Sequence, residues 1–177
     1  MKSLTPIALI LASTLAGSYS MTASAHASLE VQEAAVGSHY KAVMRIGHGC
    51  EGSATHTVRI QLPTELRKAK PMPKAGWTLE TVKQKLDEPY DYYGTSITED
   101  VREIVWSGGN LLDSQYDEFV FRAKLAGEPG QTLHLKTIQE CDKGENRWVE
   151  IPKEGQDSHD LKGPAPGLKL TEAHHHH

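Results

Sequence analysis

The chain has 177 residues, 24% of them charged and 6% aromatic, with a formal net charge of −4. That length suits one domain, and the absence of a dense Lys/Arg stripe argues against a nucleic-acid partner. No apolar run approaches the roughly 20 residues that a bilayer-spanning helix needs, so the mature chain is expected to cross no membrane. In chain order, residues 1–25 read first, as a secretory signal. Lys2 gives a short basic start, Pro6 to Ala16 an apolar stretch, and Ala23-Ser24-Ala25 a small-residue cleavage site. Cleavage there makes His26 the first mature residue and predicts a periplasmic or otherwise exported protein.

Period-two alternation dominates the mature chain. Tyr40, Ala42, Met44 and Ile46 share one face, opposed by Lys41, Val43 and Arg45. Val58, Ile60 and Leu62 repeat the pattern, as do Phe119, Phe121, Ala123 and Leu125, and then Leu133 and Leu135. Shorter candidates are Thr78–Lys83, Val101–Trp106 and Arg147–Ile151. Gly47-His48-Gly49, Lys74-Ala75-Gly76, Ser107-Gly108-Gly109, Glu128-Pro129-Gly130 and Asp142-Lys143-Gly144 punctuate them as turns. About seven half-buried strands with such spacing predict an all-β chain: a single antiparallel β-sandwich, Ig-like in outline. The basic run Arg67-Lys68-Ala69-Lys70 reads as a solvated turn. Residues 87–100, polar and holding Tyr90, Tyr92 and Tyr93, read as a long hairpin loop. The sandwich is expected to fill residues 26–155. Residues 156–177 are expected to form an extended or mobile tail. It ends in His174–His177, either an affinity tag or its remnant, or a native metal-scavenging run.

The two cysteines, Cys50 and Cys141, predict one disulfide in an oxidising compartment. A thiolate metal site is the competing reading, though no C-x-x-C spacing supports it.

His26 carries the chemistry. A free α-amine and the imidazole Nδ1 of one residue can chelate a single metal ion, and copper(II) favours nitrogen-rich tetragonal sites. A carboxylate nearby would ligate the ion or orient another ligand. Glu30 is close in sequence. Glu33 lies seven residues on, a span of roughly 23 Å if fully extended, so it reaches the amine only if the chain folds back.

The mature start, His26-Ala27-Ser28-Leu29-Glu30-Val31-Gln32-Glu33-Ala34 with Gly37-Ser38, resembles the opening of the YcnI-like copper-binding proteins. Pro71-Met72-Pro73-Lys74-Ala75-Gly76-Trp77, Trp106-Ser107-Gly108-Gly109, Gln115-Tyr116-Asp117-Glu118-Phe119 and Ile138-Gln139 followed by Gly144 and Arg147-Trp148 match further blocks of that family in order. The resemblance implies a β-sandwich that holds copper(II) through a single N-terminal histidine brace. Carried over by position, His26 supplies amine and imidazole, Glu33 the carboxylate and Trp148 a nearby indole. Indole offers only an N–H donor, so Trp148 would cap the metal rather than ligate it conventionally. Cys50 and Cys141 are additions that resemble a disulfide-bearing subgroup.

The expected function is therefore that of a copper carrier or metallochaperone in copper acquisition or homeostasis, not an enzyme. Its partners would be the copper ion and a membrane copper transporter or another metallochaperone. Two alternatives stand beside it. A copper-dependent oxidative enzyme of the polysaccharide monooxygenase type needs a second brace histidine. Of His39, His48, His56, His134 and His159, the strand residue His134 is the best candidate. A metal-free Ig-like interaction module would tolerate alanine at position 26. Tyr116, Asp117 and Glu118 form an acidic-aromatic edge, with Glu118 expected to be exposed.

Overall fold

The computed structural model describes residues 26–173. The signal segment 1–25 and the terminal His174–His177 lie outside the described residues. In chain order the strands are β1 (Ser28–Leu29), β2 (Glu33–Ala35), β3 (His39–Ile46), β4 (Thr55–Gln61), β5 (Leu66–Pro71), β6 (Thr78–Tyr92), β7 (Thr95–Leu111), β8 (Asp117–Leu125), β9 (Thr132–His134), β10 (Lys136–Cys141), β11 (Glu145–Trp148) and β12 (Gly167–Thr171). A 3-10 turn covers Ser158–Asp160.

Two antiparallel sheets, ordered β1-β3-β8-β5 and β11-β10-β4-β7-β6, form an Ig-like sandwich. The alternation that predicted the strands also sets the faces, because successive side chains of a strand point to opposite sides. Tyr40, Ala42, Met44 and Ile46 of β3 and Phe119, Phe121, Ala123 and Leu125 of β8 are all buried. They belong to one core with Val58 and Ile60 of β4 and Ile104 and Trp106 of β7. Trp106 is fully buried and donates from Nε1 to the Met72 carbonyl at 3.1 Å. Trp77 and Trp106 each meet Phe119 edge-on, with centroids 5.0 and 5.5 Å apart. Gly109 is needed there, since a Cβ would lie 2.0 Å from the Trp77 ring. Cys50 and Cys141 are joined, tying the loop after β3 to the end of β10 across 91 residues of sequence. That removes the thiolate reading.

Three expectations need correction. Residues 87–100 are not a loop: β6 and β7 stay paired out to Tyr92 and Thr95. The two-residue tip has Tyr93 at φ 52° and Gly94 at φ 82°, the left-handed pair that a tight hairpin turn requires. Arg67-Lys68-Ala69-Lys70 lies within β5 rather than a turn, and a bulge interrupts its pairing with β8 between Arg67 and Lys70. The domain also does not stop at 155. Within the expected tail, β12 pairs in parallel with β2 and antiparallel with β9, and Leu168 and Leu170 are fully buried. The alternation Leu168-Lys169-Leu170 is the signal of that strand, masked by the Pro164 and Pro166 that precede it.

Candidate functional site

His26 is fixed from its C-terminal side. Ala27 and Leu29 are buried, β1 pairs with β3 through Ser28–Arg45 and Leu29–Met44, and the Glu30 N–H donates to the Val43 carbonyl at 3.0 Å. The Tyr40 hydroxyl donates to the Val31 carbonyl. Burial, reinforced by the nearby Glu30 charge, pushes that phenol up to about 12. The segment after His26 is thus held by a neutral, buried donor at any physiological pH.

Trp148 ends β11, the edge strand of the larger sheet, opposite Thr137 of β10. Its ring meets the His26 ring edge-on, with centroids 5.1 Å apart and planes at 72°. Two residues far apart in sequence are therefore adjacent, one from the edge of each sheet. The Trp148 Nε1 is buried and has no hydrogen-bond partner. A buried donor left unpaired costs about 1–3 kcal/mol.

His26 also lines a cleft of about 370 Å³ with Gln32, His134 and His159. His134 comes from β9 and His159 from the 3-10 turn. The Nδ1 of His134 is buried and unpartnered. This convergence of three histidines was not legible in sequence, because β9 is brought in by its pairing with β12 and the 3-10 turn lies far from it in the chain. Among the described residues no group of three or more His, Cys, Asp or Glu side chains is placed to hold a metal ion. A brace built on one histidine and its own amine does not require such a group.

The carboxylates sit elsewhere. Glu33, on β2, faces Lys169 of β12 at 3.9 Å, with its side chain 63% exposed, and is not among the residues lining the cleft. Glu30 pairs with Arg45 at 3.0 Å. The structure therefore brings His26 and Trp148 together and leaves Glu33 and Glu30 in ion pairs of their own. Asp117 pairs with Lys74 at 2.6 Å, and Glu118 is half-exposed near Arg45 at 3.6 Å, so the acidic-aromatic edge is occupied with basic side chains of its own. His56 hydrogen-bonds the Cys141 carbonyl at 3.1 Å and His48 lies 3.7 Å from Asp113, so both have partners away from His26.

A family model described as a domain of unknown function, DUF1775, matches residues 26–170. No curated protein sequence matches. Among solved structures, an uncharacterized protein from Nocardia farcinica, described as having an immunoglobulin-like fold, superposes with a TM-score of 0.63 at 20% identity, covering 82% of this chain and 98% of that one. A cohesin module from a Clostridium perfringens family 33 glycoside hydrolase gives a TM-score of 0.46 at 14% identity, over 84% and 97% of the two chains. The first likeness shows the Ig-like fold, and the match across nearly the whole described sandwich shows the family: the chain belongs to the DUF1775 family.

Proposed function

We propose that this is an exported copper(II)-binding protein, a carrier or metallochaperone that takes copper as cargo at the mature N-terminal His26. The observation that carries the reading is the contact between His26 and Trp148. An imidazole at the expected N-terminus stands at a sheet edge against an indole whose N–H has no protein partner. The family match beginning at residue 26 is in keeping with a domain that starts at this histidine.

In this reading the His26 amine and imidazole supply two nitrogens, the combination copper(II) favours. Trp148 covers one side of the imidazole, restricts water and keeps the site from turning over as a redox catalyst. The remaining positions stay open, so a recipient's ligands can enter and withdraw the ion by exchange. Glu33 can add a carboxylate only by leaving Lys169, an exposed pair of the kind worth at most about 1 kcal/mol. Copper acquisition or homeostasis is the setting proposed, with a membrane transporter or a second chaperone as recipient.

A second reading has a specific observation in its favour. His134 lines the same cleft with an unpartnered buried Nδ1, and a second histidine beside His26 is what a copper-dependent oxidative enzyme needs.

One preparation separates these readings. The protein is made with His26 as a native N-terminus and without His174–His177, and copper(II) is titrated by electron paramagnetic resonance. A nitrogen-rich axial signal at one equivalent, altered by a single residue added before His26, is expected. An unchanged spectrum with that extension overturns the brace, and no uptake at all leaves a metal-free Ig-like interaction module. Ascorbate oxidation above that of free copper, lost in His134→Ala, selects the enzyme.

A further inference from the structure

The outer face of the smaller sheet carries a charge pattern that the copper reading does not use. On β3 and β8, His39 stands opposite Lys124 and Lys41 opposite Arg122. On β5 and β8, Arg67 stands opposite Lys124 and Lys70 opposite Arg122. Like charges directly opposite one another on antiparallel strands are destabilising. The same face shows the alternative, since Arg45 lies there between Glu30 and Glu118. Among the described residues, Lys41, Lys68, Lys70, Arg122 and Lys124 have no carboxylate partner, in a chain whose net charge is −4.

These cations converge. His39, Lys68, Lys70, Tyr92, Arg122 and Lys124 line a groove of about 170 Å³, and no carboxylate lines it. Two devices build it. The β5 bulge places Lys68 at φ 53°, a conformation uncommon for a side-chain-bearing residue, and its N–H is held by Asp100 at 2.8 Å. Bulges of this kind re-aim a side chain, and such backbone strain persists only where its surroundings fix it. The tip of the β6–β7 hairpin then closes one wall. The Lys124 Nζ lies 4.4 Å from the Tyr93 ring centroid and 5.7 Å from that of Tyr92.

We propose that this groove is a binding site for a phosphate-class oxyanion. Arg122 offers a planar fork that matches two oxygens of one group, while the lysines supply compact charges around it. Three lysines and an arginine in one groove favour a multiply charged anion over a single carboxylate. The volume is sufficient for a phosphate or pyrophosphate group. The anion would relieve the cross-strand repulsion, so binding should also stabilise the fold. The same chemistry is offered by free inorganic phosphates and by phospholipid headgroups. The inference does not depend on copper at His26.

The test uses the mature chain at low salt. Inorganic pyrophosphate is titrated by calorimetry, and sedimentation is followed with vesicles of phosphatidylcholine alone or mixed with phosphatidylglycerol. The comparison is between the native chain, the double variant Arg122→Gln/Lys124→Gln, and a control, Lys143→Gln, on an exposed turn. We expect saturable binding in at least one arm, weakened at least tenfold in the double variant, unchanged in the control and suppressed by added salt. Pyrophosphate binding identifies a free anion as the source. Binding confined to phosphatidylglycerol vesicles identifies a headgroup. The double variant loses the Lys124 contacts to Tyr92 and Tyr93 but also the cross-strand repulsion, so it should melt close to the native chain, and a melting curve run beside the titration separates lost binding from lost folding. Absence of binding in both arms, equal binding by the double variant, or binding of polyglutamate but of neither phosphate source overturns the proposal.

Discussion

Two polar clusters in this fold are built on opposite terms. Beneath the β6–β7 hairpin, Asp100 and Arg102 are buried 3.1 Å apart in a dense network of hydrogen bonds, in which the Nε of Arg102 is left without a partner. Asp100 accepts from the Tyr90 hydroxyl and from the Lys68 and Val101 N–H groups, and Arg102 donates to the Pro63 and Leu66 carbonyls. Beside His26, by contrast, the Trp148 Nε1 and His134 Nδ1 are buried and face no protein partner. The first arrangement fixes geometry, because a buried charge with its partner removed is costly. The second leaves an indole N–H unspent against the His26 ring and an imidazole nitrogen unspent at the cleft that His26 lines. Inside the first cluster the leftover Arg102 Nε is enclosed by the ion pair, whereas unspent capacity beside an open cleft is what a site for an exogenous ligand retains.

The comparison breaks most sharply at Arg102. Arg102→Met leaves the Asp100 carboxylate buried without its counter-charge and should cost about 3–5 kcal/mol in urea denaturation. The same cluster has a pH signature. Burial, and then the Asp100 charge, push the Tyr90 phenol up from its ordinary value. A raised phenol stabilises the fold fully below the unfolded value near 10 and loses that contribution as pH rises through the folded value. Alkaline unfolding should therefore set in above pH 10, and phenolate absorbance should lag the tyrosine count until the chain opens.

A milder test falls on the N-terminal segment. Tyr40→Phe removes the donor to the Val31 carbonyl and should cost about 1 kcal/mol, the net worth of one hydrogen bond. Because the Tyr40 phenol is pushed up to about 12 by burial and Glu30, its contribution is complete below pH 10 and fades between 10 and 12. The variant should flatten that part of the stability-against-pH curve while leaving the region below pH 9 parallel to the native one. If β1 is what positions His26, amide exchange at Leu29 and Glu30 should quicken as well.

The sandwich was legible because burial on one face imposes alternation, and Tyr40 to Ile46, Val58 to Leu62 and Phe119 to Leu125 follow it even with Val43 and Val120 apolar on the opposite face. The disulfide followed from two cysteines and the expectation of an oxidising compartment. The hairpin arm was missed since its outer half buries little: β6 is mostly exposed, so no apolar period marks it, and its pairing rests on backbone hydrogen bonds and the tip turn. β12 was missed for the opposite reason. It is short, and the loop before it reads as a tail until β2 and β9 are seen to flank it. At the candidate site the pairing of His26 with Trp148 was foreseen only through family resemblance. Nothing local in Arg147-Trp148 says which residue an edge-strand indole will face. The entry of His134 and His159 into the same cleft depends on tertiary packing that no spacing encodes.

The smallest expected change in stability is the most discriminating. Trp148→Phe keeps an aromatic ring beside His26 and deletes an N–H that is buried without a partner. Removing an unsatisfied donor recovers its desolvation cost, while the smaller ring loses some packing, so the net change should fall within about 1 kcal/mol of zero. A structural tryptophan whose N–H was satisfied would instead lose both terms. If Trp148 caps copper at His26, the same variant should nonetheless change the copper(II) resonance parameters and speed transfer of the ion to a competing chelator. Stability nearly unchanged with altered copper exchange assigns the unspent N–H to the ligand side of the comparison. A loss of several kcal/mol with identical copper spectra returns Trp148 to the core.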